Sequence, residues 1–364
     1  MTGMKEASKS LRHALAAFTV LALVALPVGP AGARGSHPTI ADLGTSLVGW
    51  YMALDPAHHH VFVEQPEANR LRVYAYGGRR LATLRLPSPG QMTLAPAGRL
   101  LYVVTMRYRN RTPISTVTAV STRTLTVRWR MRAQRGRCLS GVAAAAGRVW
   151  STSGCGAGLP RLVSFAPGRR GRGWARSGVS GIDSGMALER PRDRGHLLAG
   201  EHLGCDNCAL DVWHVNGRHA QQLGSMNRVN GVAEMQFTAD GRRLALAGTI
   251  RDQVDGADVV RPRDLGGRFT TYQNPDFPTA AIISPSGNHL VEGNADGLAL
   301  YAKGDPRVPV RSWRSEYVHQ GDLVVTPDGR WMFDVVWTIN SWDGCSCHPP
   351  HYLLQARRLG ITSW

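Results

Sequence analysis

The densest group of metal-competent side chains lies near the C-terminus, in Cys345-Ser346-Cys347-His348-Pro349-Pro350-His351. Two thiolates and two imidazoles, from Cys345, Cys347, His348 and His351, suit zinc or copper. The spacing is tighter than a tetrahedral knuckle uses. An oxidising compartment would instead close the two cysteines into a disulfide. Cys138, Cys155, Cys205 and Cys208 bring the total to six, an even number. The expected pairs are Cys138–Cys155, Cys205–Cys208 and Cys345–Cys347, the last two closing small, strained and therefore labile rings. Cys205-x-x-Cys208 also has redox spacing, but no helix precedes it to lower a thiol pKa. Ala209 stands where haem attachment requires His. The run His58-His59-His60 reads as a solvated turn. No Gly-x-Ser-x-Gly elbow, phosphate loop or dinucleotide fingerprint occurs.

The compartment is suggested by the N-terminus. Lys5, Lys9 and Arg12 precede an apolar run from Ala14 to Val28, and Pro30-Ala31-Gly32-Ala33 follows. This is the pattern of a secretory signal peptide cut after Ala33. The run is shorter than the roughly 20 residues a membrane span needs, and the mature chain holds no span. The expectation is an exported or cell-envelope protein with residues 34–364 as one domain.

The elements that must position the reactive residues follow from a repeated turn. It reads Pro96-Ala97-Gly98, Ala146-Gly147, Arg194-Gly195, Ala239-Asp240-Gly241, Pro285-Ser286-Gly287 and Pro327-Asp328-Gly329, with glycines 49, 48, 46, 46 and 42 residues apart. Asp55-Pro56-Ala57 is a degenerate seventh copy one step earlier. Short apolar runs with period-2 alternation flank each turn, as in Leu71, Val73 and Ala75 against Arg72, Tyr74 and Tyr76. A step of about 40 to 50 residues with strands on both sides of a tight turn marks a β-propeller. The fold class is therefore all-β: seven four-stranded antiparallel blades. The last repeat lacks a fourth strand. Residues 38–46 are expected to supply it and close the ring, removing an open edge.

The stretch His60-Val61-Phe62-Val63-Glu64-Gln65-Pro66-Glu67-Ala68-Asn69-Arg70-Leu71-Arg72-Val73-Tyr74 resembles the YVTN/YncE-like, WD-like propeller repeat, and Leu101-Tyr102-Val103-Val104-Thr105 is a partial second copy. The turns Ala239-Asp240-Gly241 and Pro327-Asp328-Gly329 are similar to its "PDG" turn. The resemblance spans about residues 45–358. It implies the propeller and leaves the role open among exported binding proteins, surface-layer proteins and lactonase-like relatives.

In this layout all six cysteines fall on one face, with the long loops Arg107 to Pro113 and Arg251 to Gly256. That face is the expected working surface. Counting back seven positions from each turn glycine puts Gln91, Glu234 and Asp322 at the start of innermost strands, with Trp50 from the first repeat and Gly185 aligned by the following Met. Glu234 and Asp322 then face the tunnel mouth, with Asn230, Asp183 and His319 near its rim. The lactonase-like relatives imply one divalent cation there, activating water on an ester, with Glu234, Asp322 and His319 as the catalytic candidates. Asn230, Asp183, Gln91 and Trp50 are the ligand-binding candidates. The ligand set for a cation is incomplete in the sequence.

The chain carries a formal charge of +17, mostly arginine. One reading is compositional, with charge scattered over blades. The other is attraction to nucleic acid or another polyanion, with Arg169 to Arg176 and Arg128 to Arg137 as the densest runs. Three functions are thus open. The first is a secreted monomeric binding protein for a protein, cell-wall polymer or small molecule. The second is a metal-dependent lactonase-like hydrolase or lyase, and the third a polyanion binder.

Overall fold

The computed structural model describes residues 39–49, 51–133, 137–154, 161–167, 174–180, 186–193, 195–202, 208–250, 256–267, 269–273, 278–314, 317–338, 350–361 and 364. All belong to the unit Arg34–Trp364. They form seven antiparallel blades in a ring, with no helix among the described residues.

Strand β1 (Thr39–Gly44) is the closing strand. Blade 1 is β2 (Met52–Asp55), β3 (His60–Gln65), β4 (Arg70–Ala75) and β5 (Arg80–Arg85). Blade 2 is β6 (Pro89–Leu94), β7 (Leu100–Arg109), β8 (Thr112–Ser121) and β9 (Val127–Arg132). In blade 3 the innermost strand is split into β10 (Cys138–Leu139) and β11 (Ala143–Ala145). Both pair with β12 (Arg148–Gly154), followed by β13 (Arg161–Phe165) and β14 (Ala175–Ser180). Blade 4 begins with β15 (Met186–Glu189), β16 (Leu197–His202) and β17 (Cys208–Asn216). Next comes β18 (His219–Phe237), whose 19 residues end blade 4 and begin blade 5. Blade 5 continues with β19 (Leu244–Ile250), β20 (Gly256–Val260) and β21 (Thr270–Gln273). Blade 6 is β22 (Ala280–Ile283), β23 (His289–Asn294), β24 (Gly297–Ala302) and β25 (Arg311–Arg314). Blade 7 is β26 (Tyr317–Val325), β27 (Trp331–Thr338) and β28 (His351–Arg358), and β1 pairs with β28 as its fourth strand.

The repeated turn has a local cause. Gly98, Gly147, Gly241, Gly287 and Gly329 all take positive φ, between 66° and 71°. Only glycine does so at no steric cost. Around two of these turns the same hydrogen bonds recur. Thr238 Oγ1 donates to Asp240 at 2.7 Å and Thr326 Oγ1 to Asp328 at 2.6 Å. The same carboxylates accept from the N–H groups of Arg242 and Arg330.

The apolar core is divided into seven clusters, one at each blade-to-blade contact. Strand alternation feeds them. Val61 and Val63 pack toward blade 7, while Phe62 between them packs toward blade 2. Each blade is thus held by its two neighbours, which is why ring closure matters.

One sequence expectation is revised. The segment Arg107 to Pro113 is a continuation of β7 and β8 around a two-residue turn at Asn110-Arg111, rather than a loop. Both turn residues have positive φ (50° and 62°), as a two-residue hairpin requires.

Candidate functional site

The innermost strands surround a cavity of about 80 Å³, lined by Tyr51, Gln91, Ala187, Glu189, Glu234 and Gly321, among others. Its polar groups are mostly engaged with the frame. Gln91 Nε2 donates to Leu188 O at 2.8 Å, and its Oε1 accepts from the N–H groups of Val142 (2.7 Å) and Leu188 (3.0 Å). Val142 lies in the break between β10 and β11, so the amide takes up a backbone N–H that the split strand leaves unpaired, together with both backbone groups of Leu188 in β15. Arg190 of blade 4 reaches back to Leu94 O of blade 2 at 3.3 Å. Glu234 accepts from Ala281 N–H at 3.1 Å, joining blades 5 and 6.

The acids differ in setting. Glu189 lies in the cavity wall, and burial raises its carboxyl to about 7 despite the opposing backbone and charge of Arg190. Asp322 is fully buried and bonded to His319 Nδ1 at 2.7 Å. Burial raises Asp322 to about 6, with the His319 hydrogen bond and charge pulling the other way. Its second oxygen, Oδ1, has no hydrogen-bond partner. His319 packs edge-on against Tyr352 of β28, at 5.3 Å between ring centroids. The pair is thus turned into blade 7, and the cavity wall there is Gly321.

A second, larger hollow lies beside the tunnel. It holds about 470 Å³ and is walled by Tyr51, Pro89, Met106, Tyr108, Pro113 and Leu139, with Gln91 and Cys138 also exposed to it. Tyr51 and Gln91 are shared with the tunnel cavity. The β7–β8 hairpin forms one wall and the start of blade 3 the other. Tyr108 is 70% exposed, an uncommon state for a large ring. Cys138, at the edge of this cleft, is disulfide-bonded, and its strand neighbour is Gly154, the residue before Cys155 in the sequence. Apolar walls with a few convergent polar groups are the usual make-up of a ligand cleft.

Of the sequence candidates, the fold brings together His319 with Asp322, and Gln91 with Glu234 in one cavity wall. Asn230 lies in β18 opposite Thr249. His351 begins β28 and contacts Asp42 of the closing strand at 3.2 Å. Trp50, Asp183, Cys155, Cys205, Cys345, Cys347 and His348 lie outside the described residues, and for Cys208 the backbone alone is described. His58 caps the first turn by bonding Asp55 at 2.5 Å. Among the described residues no three His, Cys, Asp or Glu come together as a cation site, and no helix is long and apolar enough to cross a membrane.

Sequence reasoning missed Tyr51, Glu189 and Met106, and reached Tyr108 only as part of the segment Arg107 to Pro113. Tyr51 was within reach. Aligning Asp55-Pro56-Ala57-His58 on Ala95-Pro96-Ala97-Gly98 puts His58 at the glycine position, and seven back is Tyr51 rather than Trp50. Glu189 ends β15, beyond the strand start that the count picked out.

The described chain is a seven-bladed β-propeller. No protein-family model matches it, and no curated protein is similar to it.

Proposed function

We propose that this propeller is a binding protein that takes its ligand in the cleft between blades 2 and 3. The observation that carries the reading is the hollow of about 470 Å³ with an exposed Tyr108 and an apolar wall of Met106, Pro113 and Leu139. Fold alone does not decide function, but propellers commonly serve as interaction scaffolds. The commitment of Gln91 and Glu234 to backbone groups supports binding over hydrolysis at the tunnel.

The charged, apolar and small-residue order of the first 33 residues supports export of a mature chain starting at Arg34. A disulfide between Cys138 and Cys155 fits the β10–β12 register. The repeat pattern around His60 to Tyr74 supports kinship with YVTN-type propellers.

A ligand-observed NMR screen of apolar fragments tests the cleft. Hits should vanish in Tyr108→Ala and Tyr51→Ala and persist in Val308→Ala, an exposed site on blade 6. Hits that survive both tyrosine changes would sink the reading.

A further inference from the structure

Between Glu67 and Asp183 the chain contains no acidic residue and twenty-one arginines. The basic charge is therefore concentrated on blades 1 to 3 instead of being scattered. Three arginine ion pairs lie elsewhere, in blades 5 and 7 (Arg242–Asp240, Arg330–Asp328, Arg357–Asp334).

Strand register gathers part of this charge. In blade 2, Arg109 stands opposite Thr112 and Arg107 opposite Ile114, while Arg132 stands opposite Thr116 and Arg130 opposite Thr118. Thr112, Ile114, Thr116 and Thr118 are alternate residues of one strand, so the four arginines share one sheet face. Arg128 extends the row at a bulge. All five are exposed. The other face of the same strands holds Met106 and Tyr108 in the cleft, and Trp129 against Tyr102 and Phe165.

We propose that this face of blade 2 docks a linear, base-free phosphodiester polymer of the poly(glycerol phosphate) kind. Arg130 and Arg132 are two residues apart on β9, about 6.6 Å along the strand, suited to successive charges of an extended chain. Proteins that hold single-stranded nucleic acid add aromatic platforms to a basic groove. Here the aromatics of blade 2 are turned to the opposite face, so charge without stacking is what this surface offers. The polymer surface is independent of the cleft.

The test is fluorescence anisotropy with labelled poly(glycerol phosphate) at low and moderate salt. Arg128, Arg130 and Arg132 are changed together to Gln. A control removes the same charge elsewhere, at exposed Arg218, Arg307 and Arg314. The blade 2 variant should weaken binding at least tenfold. Its log–log salt slope should flatten by about two, from ~0.7 per lost phosphate contact. The control should change affinity less than threefold. Melting curves check folding, and Arg107→Gln with Arg109→Gln, on the hairpin end, is the fallback pair. Equal loss in the control, no loss in the blade 2 variant, or no binding by the wild type overturns the proposal. Tighter binding of oligothymidylate at equal charge overturns the base-free partner. Tyr108→Ala should leave polymer binding unchanged, so failure here and failure of the cleft are separable.

Discussion

The side chain of Gln91 and the backbone of Leu188 form a closed ring of two hydrogen bonds, 2.8 and 3.0 Å long, between residues of blades 2 and 4. The amide behaves as a substitute strand neighbour. It reaches past blade 3, whose innermost strand is interrupted at this point, and also accepts from Val142. Three backbone groups in a buried place depend on one side chain.

Gln91→Leu should therefore destabilise the fold by about 2 to 4 kcal/mol, the cost of leaving buried backbone donors and an acceptor unmade. Gln91→Glu should be worse at pH 8 than at pH 5, because an ionised carboxylate cannot donate to Leu188 O. Denaturant unfolding at both pH values measures this. Equal loss at both would show that the Nε2 bond carries nothing.

Two raised carboxyls set a pH dependence. Asp322 is raised from 3.8 to about 6 and Glu189 from 4.5 to about 7, each by burial. A raised acid holds its proton more tightly folded than unfolded. Its stabilising contribution is present at low pH and is lost as pH rises through the folded value. The Asp322 contribution should fall between pH ~4 and ~6 and that of Glu189 between ~4.5 and ~7. For Asp322 the loss is on the order of 2 to 3 kcal/mol. Asp322→Asn should flatten the lower window and Glu189→Gln the upper, read from unfolding free energies across pH. Stability that rises through these windows would refute the assignment.

Reduction or Cys138→Ser should cost about 3 kcal/mol, the usual worth of a disulfide closing a loop of this size. Because Cys138 also walls the cleft, fragment binding should weaken in parallel. Non-reducing peptide mapping should recover Cys138 joined to Cys155. Recovery with any other cysteine corrects the pairing.

Deleting Thr39–Gly44 should abolish cooperative unfolding and promote aggregation. This strand supplies the edge partner of β28, and Leu43 is fully buried in the cluster shared by blades 7 and 1. By contrast, His351→Ala removes a half-exposed contact with Asp42 and should shift stability by under about 1 kcal/mol. A deletion variant that melts like the intact chain would show the ring to be held without its closure.

The ring was legible because its signals are local. Five of the turn glycines adopt the left-handed conformation the pattern demands, and the closing strand lies within the expected residues 38–46. The cleft was not legible. It is made by Tyr51, Tyr108 and Leu139 from three blades, and no local period links them. Period-2 alternation fixes which residues share a face, but not which faces meet across a gap. The hairpin of blade 2 was read as a loop because polar and basic residues continue to its tip, although pairing continues with them. Asp322 was placed at the tunnel by counting from its glycine. A register shift between Val318 and Leu323 accompanies the turn of the His319–Asp322 pair into blade 7.

The strand β18 serves blade 4 and blade 5 without a turn between them. Anyone dividing this ring into two complementing halves would find it unequal in where it accepts a cut. A nick in the exposed turn Lys303–Arg307 leaves every strand whole. A nick in β18 would take an outer strand from one blade and an inner strand from the next. The two blades should therefore open together in hydrogen exchange, as one unit among otherwise separate neighbours.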